Sequence, residues 1–156
     1  GPVYLRFGRP KVPNFTPENI KFEIGKAWTL KEGKDVTVFA TGHLLWKAVE
    51  AVEVLSAKNI DVELINIHTI KPLDKEAVLK SAAKTKAVVT AEEHLMNGGL
   101  GDSIAQLLAQ KMPTPIEYVA VDDLFGESGT PEQLLEKFSL DTKDVVEAVE
   151  KVLKRK

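Results

Sequence analysis

Short apolar runs that alternate with stretches of helical periodicity constrain the fold of this chain more than any other feature. The run AVVTA at 87–91 has the continuous apolar character of a strand that is covered on both faces. The run LLWKAVEAVEVLSAK at 44–58 repeats apolar residues three and four positions apart, as an amphipathic helix does. Alternating strands and helices imply a parallel sheet with right-handed crossovers and helices on both faces. The chain is therefore predicted to form one α/β domain.

Turn and capping residues give the approximate bounds of these elements. The predicted strands are 27–31, 35–40, 61–67, 87–91 and 116–121. The first two are joined by a turn at 32–34 and resemble a hairpin. The predicted helices are 44–58, 74 to about 83, 103–111, and two more that start after Thr130 and near Asp141. Thr130 is followed by Pro131 and Gln133, which is a capping-box pattern, and the last helix carries a valine stripe at Val145, Val149 and Val152.

Composition excludes several classes of partner. A chain of 156 residues is the size of one domain, and its formal net charge of −2 gives no basic field for nucleic acid or an anionic membrane. No apolar run approaches the ~20 residues that a membrane-spanning helix needs. Cysteine is absent, which excludes a disulfide framework and favours an intracellular, cytoplasmic location. We therefore expect neither nucleic acid nor a membrane as a partner.

The first twenty residues differ from the rest. The segment VYLRF at 3–7 is an apolar strand-like run, and Gly8, Pro10, Pro13 and Pro17 follow it. Glycine and spaced prolines favour an extended linker. Residues 1–20 are therefore predicted to be the last strand of a preceding domain and a linker, and residues 21–156 the α/β domain.

Candidate chemistry lies in the segment AEEHLMNGGLG at 91–101. His94, like His43, follows a predicted parallel strand, where ligands usually bind in open α/β sheets. His94 is thus a candidate for catalysis or for anchoring the loop. Glu92 and Glu93 are adjacent, so they point to opposite faces of extended backbone and do not form an acid–base pair on one substrate. One is expected to turn inward to backbone N–H groups, and the other to meet solvent or a partner.

Gly98, Gly99 and Gly101 allow two interpretations. They precede a predicted helix, whose free N–H groups and dipole suit an anion. Their Gly-Gly-x-Gly pattern is neither the dinucleotide fingerprint nor a P-loop. A structural turn, in which glycine accepts positive φ or lets the helix approach the sheet closely, is the favoured interpretation.

Several segments taken together resemble the C-terminal domain of transketolases. They are GPVYLRFGR, INIHTIKPLD, TAEEHLMNGGLG and FGESGTPEQLLEKFSLD, in this order along the chain. The first resembles the end of the family's pyrimidine-binding domain, and the last is the most specific to transketolase. The resemblance implies a three-layer α/β/α sandwich with a mostly parallel five-stranded sheet whose first strand is antiparallel.

The same resemblance implies a function. Transketolases transfer a two-carbon ketol unit between sugar phosphates with thiamine diphosphate and a divalent metal such as Mg²⁺, bound between the other two domains of a dimer. The family's Gly-Asp-Gly…Asn cofactor motif is absent here, so the cofactors are expected outside this stretch, which is expected to be inactive by itself. Arg9 occupies the family's substrate-phosphate position, and Arg6 is the weaker candidate. The implied partners are N-terminal transketolase domains or a separate subunit, and a second copy in a homodimer.

Two alternatives remain open. One is the C-terminal domain of a related thiamine enzyme, either deoxyxylulose-phosphate synthase or the beta chain of a 2-oxoacid dehydrogenase; the FGESGTPEQLL segment favours transketolase over both. The other is a stand-alone interaction or regulatory module that uses the open strand ends.

Overall fold

One mixed sheet forms the centre of the domain. The computed structural model describes residues 1–6, 8 and 11–156. The strands are β1 (Trp28–Lys31), β2 (Val36–Ala40), β3 (Val62–Asn66), β4 (Val88–Leu95) and β5 (Ile116–Val121). Their order in the sheet is β1-β3-β2-β4-β5, with β1 antiparallel to β3 and the other neighbours parallel.

Helices cover both faces of this sheet. They are α1 (Leu45–Ala57), α2 (Lys75–Thr85), α3 (Leu100–Lys111), α4 (Pro131–Lys137) and α5 (Thr142–Leu153), and a 3₁₀ turn at Gly42–Leu44 precedes α1. Val38 and Phe39 are consecutive in β2 and therefore point to opposite faces. Val38 packs in the cluster formed with α1 and α5, whereas Phe39 packs in the cluster formed with α2 and α3. The predicted three-layer sandwich with one antiparallel strand is confirmed.

The prediction of a hairpin at the start of the domain is wrong. The strands at 28–31 and 36–40 do form, but β3 lies between them and pairs with both. The backbone N–H groups of Lys34 and Asp35 both donate to the carbonyl of Asp61, at 3.1 and 2.9 Å. The connection at 32–34 therefore crosses the start of β3 instead of folding β1 back on β2. A local turn pattern does not specify which strand fills the neighbouring position.

Side-chain caps confirm the predicted starts of α2, α4 and α5, whereas α3 begins at Leu100, three residues before the predicted start. Asp74 accepts the N–H of Ala77 at 3.1 Å, so α2 begins where predicted, although it extends to Thr85. Thr130 and Gln133 form the reciprocal capping box at the start of α4. In α5 the three stripe valines are fully buried, as their spacing predicted: Val145, Val149 and Val152.

Ion pairs attach the end of α5 to the edge strand β5. Lys151 contacts Glu117 with its ammonium nitrogen 2.6 Å from a carboxylate oxygen, and Arg155 contacts the other oxygen. Burial raises the pKa of Glu117, but the hydrogen bonds and charges of these two cations outweigh it and leave the pKa below its ordinary value. The basic residues at the end of the chain thus stabilise the contact between α5 and the sheet.

Acid is expected to weaken the junction between α1 and α5. Lys47 Nζ lies 2.6 Å from Asp141 Oδ1, and this contact lowers the pKa of Asp141 below its ordinary value, with burial opposing and the Thr142 N–H adding to the effect. A carboxyl whose pKa is lowered by folding stabilises the fold above its unfolded pKa, and the contribution is lost as pH falls through the folded pKa. Below about pH 4 the free energy of unfolding should therefore fall, and less steeply in Lys47→Met.

Denaturant titrations between pH 6 and the acid limit measure this slope. Lys111→Met is the matched control, because Lys111 lies on α3 and makes no salt bridge among the described residues. An unchanged acid slope in Lys47→Met would show that the pair does not hold the Asp141 carboxylate.

Candidate functional site

The carboxyl ends of the parallel strands converge on one edge of the sheet. His43 follows β2 in the 3₁₀ turn, while Glu93 and His94 lie near the end of β4. Because β2 and β4 are neighbours, these residues line one cavity of about 520 Å³. Arg6 and Gly8 of the N-terminal segment also line it. Polar groups therefore collect at the place where ligands bind in open α/β sheets.

Glu93 forms an ion-pair geometry with His43 that the sequence did not reveal. The His43 Nδ1 lies 2.9 Å from Glu93 Oε2, with the two side chains one quarter and about one half exposed. The opposite ring nitrogen, Nε2, is buried and has no hydrogen-bond partner among the described residues. The pair fastens the turn after β2 to the end of β4. His43 and Glu93 each lie at or near the end of a parallel strand. They contact each other only because β2 and β4 are neighbours in the sheet.

Glu92 turns inward and caps α3. Its side chain is 2% exposed. One carboxylate oxygen accepts the N–H of Leu100 at 2.7 Å, and the other accepts the N–H of Gly101 at 2.8 Å. The prediction that one glutamate satisfies backbone N–H groups while its neighbour faces outward is confirmed. Because the carboxylate already complements the positive end of the helix dipole, an external anion would have to displace it.

The glycines of this segment fit closely around the carboxylate. Gly98 has φ +83°, which side chains rarely adopt, and its N–H donates to Asp102 at 2.6 Å. At Gly99, a Cβ atom would lie 2.2 Å from a Glu92 carboxylate oxygen. At Gly101, it would lie 2.6 Å from the ring of Tyr118. These contacts support the structural-turn interpretation, and anion binding by the three glycines stays an untested prediction.

His94 is exposed and lies within β4, not in a loop after the strand as predicted. Its Nδ1 lies 2.9 Å from the carbonyl oxygen of Leu95, the last residue of the strand. A catalytic role for His94 stays a prediction. Arg9, the predicted phosphate ligand, lies outside the described residues. Arg6, the weaker candidate, is exposed and lines the cavity with His43.

Tyr118 packs against the first turn of α3. It lies on β5 against Gly101, and burial, with a smaller effect from the Asp102 charge, raises its pKa above the ordinary value. The phenol therefore stays neutral under ordinary conditions and serves packing beneath the start of α3.

A second, more apolar cavity opens beside the first. It measures about 490 Å³ and lies between the ends of β4 and β5, the 122–130 loop and α4. Its apolar lining includes Leu95, Val121, Leu124, Leu134 and Phe138. The pair His43 and Glu93 borders both cavities. This cavity could not be predicted from the sequence, since its walls come from elements far apart in the chain.

The described residues show neither a metal-ligand cluster nor a helix that could span a membrane. Among them, no group of three or more His, Asp and Glu side chains is arranged to hold a metal ion. Nor does any helix in the described part of the chain have the length and apolarity to cross a membrane. The side chains at the strand ends can bind and orient polar groups.

Comparison with known proteins gives a consistent result. A family model described as "Transketolase, C-terminal domain" matches residues 25–145. The chain is 47% identical over 156 residues to the 6-deoxy-6-sulfo-D-fructose transketolase subunit SqwH of Clostridium sp. (strain MSTE9), covering 100% of this chain and 48% of that protein. It is 33% identical over 150 residues to the 1-deoxy-D-xylulose-5-phosphate synthase of Caldanaerobacter subterraneus subsp. tengcongensis, covering 95% and 24% of the two chains.

A solved structure agrees with these sequence matches. It is described as a split gene transketolase, inactive beta4 tetramer, and it superposes with a TM-score of 0.88 at 47% sequence identity. The match covers 92% of this chain and 47% of the other. The chain therefore spans about half the length of these transketolase relatives.

Proposed function

This chain belongs to the transketolase C-terminal domain family, and from that premise we propose that it is the C-terminal region of an enzyme that transfers two-carbon ketol units between sugar phosphates. The family match over residues 25–145 carries the proposal. In this role the chain supplies a folded support, contacts between subunits and one substrate-binding arginine. The relative that is a deoxyxylulose-phosphate synthase favours the related thiamine enzymes as the second candidate.

Thiamine diphosphate and Mg²⁺ are proposed to bind outside these residues. When bound, the cofactor supplies the carbanion chemistry that cleaves and forms the carbon–carbon bond. The Gly-Asp-Gly…Asn motif does not occur in the sequence. Gly101-Asp102-Ser103 is no substitute, because Gly101 lies in the first turn of α3, packed against Glu92 and Tyr118. The chain's own part is to bind and orient, and it holds no reacting group of the transfer.

The proposed substrates are sugars with an anionic end. Those of the pentose phosphate pathway carry a phosphate, and the Clostridium relative is named for a sugar that carries a sulfonate. Both groups present three oxygens, which match the planar fork of a guanidinium in bidentate fashion. Arg9 is proposed to provide that fork.

Residues 1–20 are proposed to end a preceding domain and link it to this one. In the described part of that segment, Val3, Tyr4 and Leu5 are 79%, 87% and 71% exposed. Exposed apolar side chains in succession are typical of a segment that packs against something else. The family match begins at residue 25, after this segment.

The proposed partners are N-terminal transketolase domains, on the same polypeptide or a separate subunit, and a second copy of this chain in a cytoplasmic homodimer. Two relatives carry the words subunit or split gene in their descriptions, and one of these is a tetramer. Those descriptions favour a separate N-terminal subunit.

Reconstitution tests the proposed function. The chain, purified together with the preceding domain that residues 1–20 are proposed to end and mixed with the remaining N-terminal transketolase part, is expected to catalyse ketol transfer when thiamine diphosphate and Mg²⁺ are added. These 156 residues alone are expected to give no product, because the groups that react are proposed to lie outside them. Turnover by the isolated chain, or thiamine diphosphate bound to it, would contradict the proposal.

A further inference from the structure

The linker segment, residues 15–27, packs against both faces of the sheet before β1 begins. Phe15 is half-buried and packs against the cluster formed with α1 and α5. At the other end of the segment, Ala27 packs against the cluster formed with α2 and α3. Trp28, at the start of β1, lines one cavity with Phe15 and another with residues 16–23. The segment therefore crosses from one face to the other beside β1, which is an edge strand.

The loop HTIKPLD at 68–74 contacts the second half of this segment. The rings of Phe22 and His68 lie against each other, with their centroids 4.6 Å apart and their planes tilted by 41°. Ring pairs at this distance attract each other. Gly25 lies so close to Pro72 that a Cβ atom on the glycine would be 3.1 Å from the proline ring. Two side chains of one loop thus fix the path of the segment.

Asp74, the last residue of this loop, joins the end of the linker segment to α2. One of its carboxylate oxygens accepts the N–H of Ala27 at 3.0 Å, and the other accepts the N–H of Ala77 at 3.1 Å. The ring of His68 is oriented as well, because its Nδ1 lies 3.0 Å from the hydroxyl oxygen of Thr69. The loop is attached to the helix and therefore offers the segment a docking site within the domain.

The same loop also borders the cavity near the start of the chain. Ile70 lines the 520 Å³ cavity together with Arg6 and Gly8. Arg9 follows shortly after these residues and precedes Phe15 by six positions. Six residues of extended chain span at most about 20 Å. Docking of the linker segment therefore limits the space in which the Arg9 side chain can lie.

We propose that Phe22 and His68 are positioning residues for substrate binding, which act through the linker segment on Arg9. This inference rests on the proposed function, in which Arg9 binds the anionic end of the sugar. While the segment is docked, the guanidinium stays where the substrate can reach it. When the segment is released, the apparent affinity falls with the fraction of molecules that keep the arginine in place.

Kinetics of the complete enzyme test the positioning role. Phe22→Ala and His68→Ala should each raise the Michaelis constant for a phosphorylated acceptor about fivefold and leave kcat nearly unchanged, since one aromatic contact is lost. An unphosphorylated acceptor should change by less than about twofold, because it makes no contact with the guanidinium. In an Arg9→Ala background neither substitution should raise the constant further. Ile24→Ala is the matched control, because Ile24, a described residue of the same segment, is 71% exposed and lies outside the cavity that Phe22 and His68 line.

Cleavage of the complete enzyme by trypsin gives a readout that does not depend on activity. Lys21 and Lys26 lie in the linker segment and are exposed. A protease needs the segment to be released locally, so the rate of cleavage follows the released fraction. Cleavage should be about fivefold faster in Phe22→Ala and His68→Ala, and at the wild-type rate in Ile24→Ala. The Phe22 ring is 64% exposed, so its truncation should leave the core folded.

The two readouts distinguish failure of this inference from failure of the proposed function. Unchanged cleavage in both variants would overturn the docking of the linker segment and leave the proposed function standing. Faster cleavage with equal losses for the two acceptors, or a further loss in the Arg9→Ala background, would overturn the positioning role alone. Absence of ketol transfer by the complete wild-type protein would remove the proposed function and the positioning role with it, whatever the cleavage rates show.

Discussion

Replacing Arg9 by alanine in the complete enzyme is expected to raise the Michaelis constant for a phosphorylated acceptor about 100-fold while kcat changes little. The arginine is proposed to hold the anionic end of the substrate, and charge-assisted hydrogen bonds are worth roughly 1.5–3 kcal/mol each. A bidentate contact therefore accounts for a loss of about two powers of ten in affinity. The chemistry takes place at the other end of the sugar, so the turnover number is spared.

The comparison of substrates makes this prediction specific. An unphosphorylated acceptor should lose at most about twofold, because it never formed the contact. Arg9→Lys should keep part of the effect, since an ammonium supplies the charge without the planar fork. Arg6→Ala is the matched control, because Arg6 lies three residues earlier in the same segment and is exposed. Equal losses for phosphorylated and unphosphorylated acceptors would remove the assignment of Arg9.

A sulfonated ketose, used as the donor, extends the same experiment. Sulfonate has three oxygens but one charge fewer than a fully ionised phosphate. Arg9→Ala should raise the Michaelis constant for such a donor as well, because a guanidinium binds either anion through its oxygens. The ratio of the wild-type Michaelis constants for the sulfonated and phosphorylated donors measures which anion the site prefers.

Local sequence patterns predicted the elements well where burial is uniform along one face. The bounds of β5 at 116–121 are those expected, and the stripe of Val145, Val149 and Val152 is buried. Periodicity records how each side chain meets the core, and this depends on the residue and its near neighbours alone. Such elements were therefore predictable before any tertiary contact was known.

Relations between distant segments were not predictable in the same way. β1 pairs with β3, and not with β2, because β3 lies between them in the sheet. The turn residues at 32–34 do not determine which strand takes that position. Likewise β4 continues past the predicted 87–91 to Leu95, where it pairs with Val121 after an irregularity. The polar residues Glu92 and Glu93 end the apolar run from which the strand was predicted. Glu92 caps α3 and Glu93 contacts His43, so both are polar although they lie in the strand.

The candidate site, too, was predictable only where it depends on local sequence. The alternation of Glu92 and Glu93 in extended backbone was enough to predict one inward and one outward carboxylate. The partner of Glu93 could not be predicted, because His43 lies 50 residues away and reaches it only through the neighbouring positions of β2 and β4. The apolar cavity at α4 was missed for the same reason.

The second large effect is expected from Gly99→Ala, which should lower the free energy of unfolding by about 3 kcal/mol. The new Cβ would lie within 2.7 Å of all three carboxyl atoms of Glu92. The carboxylate would have to leave the N–H groups of Leu100 and Gly101, and overpacking and lost charged hydrogen bonds each cost roughly 1–3 kcal/mol. Because Gly99 has φ −97°, the cost arises from the contact and not from its backbone conformation.

Gly98 and Gly126 provide graded controls for this prediction. Gly98→Ala should cost about 1–2 kcal/mol through its positive φ alone, since a Cβ there meets open space. Gly126→Ala should be close to neutral, because it also meets open space and its φ is not in the strained range. Denaturant unfolding of the three variants, read by circular dichroism, should give this order of stability.

A double-mutant cycle with Glu92→Ala isolates the contact itself. Glu92→Ala should destabilise the fold by leaving two helix N–H groups without their acceptor, but it also removes the atoms that the new methyl group would meet. The cost of Gly99→Ala should therefore fall to well under half in that background. An equal cost in both backgrounds would show that Gly99 is constrained by something other than the carboxylate. If Gly99→Ala instead abolished the binding of inorganic phosphate without changing the melting temperature, the anion interpretation of these glycines would replace the structural one.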